Sequence, residues 1–63
     1  MYTLGERPST PNEAFDALEN VLGRDEFTAN EAIEVISEVL DVPQGAAIGE
    51  FNALRRVNAI VEV

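Results

Sequence analysis

A chain of 63 residues with neither cysteine nor histidine has to hold itself together by apolar burial alone. Disulfides, thiolate metal sites and thiol nucleophiles are removed together. So are imidazole zinc ligands and the side chain most used for proton transfer near neutral pH. The length allows one domain, and a domain this small buries only about 60 % of its unfolded surface. Its stability is marginal, and with the other staples gone, association with another chain is the one left.

The apolar positions fall into three amphipathic stretches. Thr10-Pro11-Asn12-Glu13 has the form of a capping box with proline at the first helical position. Ala14, Phe15, Ala17, Leu18, Val21 and Leu22 then share one arc, and Gly23 follows as a stop. Thr28-Ala29-Asn30-Glu31 is a second capping box, with Phe27 placed to staple onto Ala32. The second helix shows an apolar face of Ala29, Ala32, Ile33, Ile36, Val39 and Leu40, and ends at Asp41-Val42-Pro43, because the residue before proline avoids the helical region. A third, weaker helix runs from Pro43 or Gln44 to about Val57, with Ala47, Ile48, Phe51 and Leu54 on its apolar side and Gly45 and Gly49 lowering its propensity. Asn58 suits a left-handed cap, and 59–63 reads as a β-strand. That strand has to pair with Glu26-Phe27, with Tyr2-Thr3-Leu4 or with another copy of itself. Residues 1–10 form an N-terminal loop or short strand, and 11–63 a single tri-helical domain. The expected fold is mainly α with a small β element.

Charge bears on the surroundings more than on the chemistry. Twelve acidic residues stand against four arginines and no lysine, for a net charge of −8. Halophilic proteins tolerate such self-repulsion, because salt at about 1 M shortens the screening length to about 3 Å. A salt-rich cytoplasm, as in haloarchaea, accounts for both the acid excess and the missing lysine. An ordinary acidic mesophilic protein is the alternative, and a hyperthermophile fits poorly, since its signal includes lysine enrichment. No apolar run reaches the length of a membrane span. Met1 to Pro8 lacks the basic start and apolar stretch of a signal peptide. A cytoplasmic location is expected, with no membrane partner.

The element order carries a resemblance. Phe27-Thr28-Ala29-Asn30-Glu31-Ala32-Ile33 is similar to the strand and second-helix start of winged helix-turn-helix domains, and Leu40-Asp41-Val42-Pro43-Gln44 looks like their inter-helix turn. Phe51 to Glu62 resembles their recognition helix running into the first wing strand, with Asn58 where glycine is common. The resemblance implies a three-helix bundle with a C-terminal strand, and a third helix that contacts nucleic acid through Gln44, Asn52, Arg55 and Arg56. Two departures stand out: the second wing strand is missing unless the N-terminal segment substitutes, and the start of the third helix lacks basic residues. For Arg55 and Arg56 the competing expectation is that they complement the helix dipole and pair with nearby acids.

Other residues point to association rather than catalysis. Gly45, Gly49 and Ala53, spaced four apart, either let a second helix approach closely or mark a helix buried on two sides. With Ile60, Val61 and Val63 of the terminal strand they make up the candidate interface for a homodimer or protein partner. Ser9 and Ser37 are the only serines, and no histidine or lysine is present to activate them. Glu31, Glu34 and Glu38 lie along one stripe but lack the mixed ligands of a cation site, Asp25 and Glu26 sit in a short connector, and a chain this small offers little room for a substrate pocket. No catalytic, cofactor or metal residues are expected, and no small-molecule substrate. The function expected is a small non-enzymatic interaction or regulatory module, halophilic and self-associating. The alternatives are a dimeric DNA-binding transcriptional regulator of winged-helix type and an acidic accessory subunit of a larger complex.

Overall fold

The computed structural model describes residues 1–63, in the order β1 (Tyr2–Leu4), α1 (Glu13–Leu22), α2 (Ala29–Leu40), α3 (Gln44–Arg56) and β2 (Ile60–Glu62). Local chemistry sets each boundary. Helix α1 starts later than the sequence suggested: its cap is Asn12, whose Oδ1 accepts the Phe15 N–H at 2.8 Å. Thr10 and Pro11 stay outside. Asparagine is the stronger cap, and only its side chain is in register with the third helical N–H. At the other end Gly23, at φ 64°, donates its N–H to the Glu19 carbonyl at 3.1 Å.

Helix α2 opens on the expected reciprocal box, in which Glu31 N–H donates to Thr28 Oγ1 at 3.1 Å and Thr28 N–H donates to Glu31 Oε1 at 2.8 Å. Its end is set by Asp41 in the left-handed region, at φ 53°. Ser37 then ties the turn to α3: its carbonyl accepts the Val42 N–H at 3.1 Å, and its hydroxyl donates to the Val42 carbonyl at 2.7 Å. After α3, Asn58 adopts φ 63°, as a left-handed cap should, and Ala59 N–H donates to the Leu54 carbonyl at 2.9 Å.

The terminal strand finds its partner inside the chain. β1 and β2 pair antiparallel, with Tyr2 opposite Glu62, Thr3 opposite Val61 and Leu4 opposite Ile60. On its other edge, Tyr2 exchanges both backbone bonds with Phe27, at 2.8 and 2.9 Å. The N-terminal strand therefore sits in the middle, between Phe27 and β2. Because backbone groups alternate along an antiparallel strand, those of Ile60 and Glu62 point away from β1, leaving the outer edge of β2 open. Gly5 is required where β1 leaves the sheet: a Cβ there would meet the Asn58 carbonyl oxygen at 2.3 Å.

Phe15, Ile36 and Phe51, one from each helix, meet in a common interior with Leu18, Phe27, Leu54 and Ile60. No polar or charged residue is buried. Three expected core residues lie outside it: Val21, Val39 and Ile48 are 57 %, 56 % and 43 % exposed. Val21 and Val39 fall in the last turns of their helices, where no neighbour covers them. Ile48 is turned out because Ala47, Phe51 and Leu54 define the buried stripe of α3, and the Phe51 ring meets Tyr2 edge-on at 5.3 Å.

Candidate interaction face on the third helix

Helix α3 packs one narrow stripe inward and leaves the rest bare. Gln44, Ile48, Asn52, Arg55 and Arg56 succeed one another at three- and four-residue intervals and are all exposed, as are Gly45, Gly49 and Ala53 beside them. The four residues expected to contact nucleic acid thus share one open strip with the small residues expected at an interface. A Cβ built on Gly45 or Gly49 meets nothing within 4 Å. This corrects the expectation of a helix buried on two sides: the monomer does not need either glycine.

The electrostatics of this strip differ from those of the rest of the molecule. Glu50 is the only acid in α3, against Arg55 and Arg56, while the other acids lie elsewhere in the chain. The ion pairs belong to the other two arginines. Arg7 pairs with Asp16 at 3.2 Å and closely with Glu19, and Arg24 reaches Glu19 at 3.5 Å. Arg7 also lies over the Phe15 ring at 5.1 Å. Its pKa is raised, chiefly by the hydrogen bond to Glu19 and then by that carboxylate's charge. Arg55 and Arg56 take part in no ion pair, so the expectation that nearby acids bind them does not hold. Arg55 instead sits over the Tyr2 ring, 5.0 Å from its centroid. With Asn52 and Arg56 it lines an open hollow of about 340 Å³.

The strand part of the expected interface is divided. Ile60 is buried in the core, so its side chain is closed to a partner, and only its outward backbone edge remains. Val61 is half-buried, and Val63 is 67 % exposed. Ser37, whose hydroxyl holds the α2–α3 turn, is structural. Glu31, Glu34 and Glu38 are exposed and do not converge.

A cleft of about 420 Å³ runs between residues 6–12 and the end of α3, lined by Arg7, Ser9, Thr10 and Asn12 on one side and Ala53, Leu54 and Val57 on the other. Its volume is within the usual range for ligand pockets, contrary to the expectation from size. Pro8 and Pro11, which stiffen the loop that frames it, were the available signal. No helix is long and apolar enough to cross a membrane. The chain matches no protein-family model, curated protein or solved structure.

Proposed function

We propose that this chain is a small, non-enzymatic interaction or regulatory module whose working surface is the outer strip of α3. The observation that carries the proposal is the pair of exposed helical glycines with open space around them. A glycine inside a helix costs about 0.5–1 kcal/mol relative to alanine, a large sum for a marginal domain, and folding gains nothing from it here. A partner that approaches the backbone closely does gain. Capture from an extract of the source cell, comparing the natural chain with Gly49→Leu, tests this. A partner held by the first and lost from the second, with unchanged circular dichroism, supports the proposal. Equal recovery by both places the working surface elsewhere.

Self-association is assigned to the outer edge of β2, where Ile60 and Glu62 offer unpaired backbone groups to a second copy. Light scattering in molar KCl is expected to give a dimer mass, and a clean monomer would refute this part.

A second reading, a dimeric DNA-binding regulator of winged-helix type, draws on two observations. Arg55 and Arg56 are clear of carboxylates, and β1 lies beside β2 where the resembled family has its second wing strand. Affinity for a duplex rests on many neutralised phosphates, and two free arginines on a chain of net charge −8 supply few. A duplex shift assay whose affinity falls on Arg55→Gln or Arg56→Gln would favour it over the first.

A further inference from the structure

Resting on α3 as the working face, the nature of its partner follows from the charge and shape at one corner. We infer that Asn52, Arg55 and Arg56 form a carboxylate-binding corner, which receives the acidic side chains of a partly apolar segment of another protein.

A guanidinium over an aromatic face is held by ring electrostatics while its N–H edge stays free. Arg55 is in that position over Tyr2, so less side-chain freedom is lost when it binds. Arg56 is the next residue, and the Asn52 amide is three and four positions earlier on the same strip. All three line the same hollow. Guanidinium groups match carboxylates in shape and can bind them through two N–H donors each.

The helix C-terminus carries only about half a negative charge, against two full positive ones. The carbonyls of Leu54 and Arg55 there already accept the N–H groups of Ala59 and Asn58, at 2.9 and 3.2 Å. Glu62, opposite Tyr2 in the ladder, and Glu6, whose N–H donates to the Asn58 carbonyl just after α3, are acids at this end of the molecule, yet neither is in an ion pair.

The surroundings select the ligand. Exposed Glu38 and Asp41 precede α3 and repel a polyanion long enough to run along the helix. A second copy pairing α3 in parallel would set arginines against arginines, a like-charge contact that costs several kcal/mol at an interface, and one pairing it antiparallel would set them against a first helical turn that holds no acid. A short segment fits, with carboxylates at the arginine corner and apolar side chains over Ile48, Gly49 and Ala53, which are exposed and carry no charge themselves, while half-buried Glu50 and exposed Glu6 flank them.

The test is a nitrogen-15 NMR titration of the full chain with three probes: a short peptide alternating leucine and glutamate, its glutamine counterpart, and a short DNA duplex. The expected result is saturable movement of the Arg55 and Arg56 Nε–H and Asn52 side-chain signals with the glutamate peptide alone. The affinity should fall about tenfold or more in Arg55→Gln/Arg56→Gln and rise in Glu62→Gln. No saturable movement overturns the inference, as does equal binding by the double variant or a response to the duplex alone. Equal binding of the glutamine peptide, lost in Gly49→Leu, also overturns it while leaving α3 as the working face.

Discussion

The guanidinium carbon of Arg55 lies 5.0 Å from the centre of the Tyr2 ring, joining the end of α3 to the middle strand of the sheet. The opposite relationship of that ring is with Phe51, edge-on at 5.3 Å. Tyr2 therefore both closes the core and holds a surface cation. An aromatic pair of this kind contributes about 0.5–1.5 kcal/mol, and an exposed cation–π contact about 0.5–1 kcal/mol. Tyr2→Leu is expected to lower stability by about 1–2 kcal/mol in urea unfolding and to make the Arg55 Nε–H more mobile in NMR relaxation. A loss of stability with no change at Arg55 would show that the ring does not position the cation.

Gly5 and Gly49 are opposite cases. At Gly5 a methyl group would collide with the Asn58 carbonyl oxygen, a backbone atom that cannot move aside alone. Gly5→Ala is expected to cost about 1–3 kcal/mol. A neutral result in thermal unfolding would mean that the β1 exit and the Asn58 turn are not packed as described.

The caps give a sharp comparison. Asn12→Ala and Thr28→Ala should each cost about 1 kcal/mol. Thr10→Ala should change stability by less than about 0.5 kcal/mol, because Thr10 caps nothing in this structure. Chemical denaturation of the three variants checks the order. A large loss at Thr10 with none at Asn12 would restore the boundary suggested by the sequence.

Salt should stabilise the fold. The net charge of −8 is spread over an exposed acid coat, and its self-repulsion is screened within about 3 Å at 1 M salt. A gain of 1 kcal/mol raises the melting temperature of a domain this size by about 4–8 °C. A rise of at least that order is expected between dilute buffer and molar KCl. An unchanged melting temperature would count against a halophilic setting.

Much of the fold is written in short-range chemistry. The Thr28–Glu31 box, Gly23 as a stop and the meeting of Phe15, Ile36 and Phe51 all follow from residue type and helical spacing. At Thr10 two caps two residues apart competed, and sequence does not register their geometry. The pairing of β2 is long-range, and a three-residue strand carries no mark of its partner. Ile48 lies outside the core because the stripe on a weakly amphipathic helix can fall one position either way until Tyr2 and Phe51 fix it. The candidate site was legible as residues but not as a surface. The resemblance to winged helix-turn-helix domains names Gln44, Asn52, Arg55 and Arg56, while only the structure shows that two arginines stay free and that Gly45 and Gly49 face open space.

The monomer's indifference to its α3 glycines is the point on which the functional proposal turns, and urea unfolding of Gly49→Ala in molar KCl measures it directly. The expected result is a gain of about 1 kcal/mol, with a smaller gain for Gly45→Ala in the first turn of the helix. A loss of stability in Gly49→Ala would contradict the proposal, since it would show that the glycine serves the fold and not a partner.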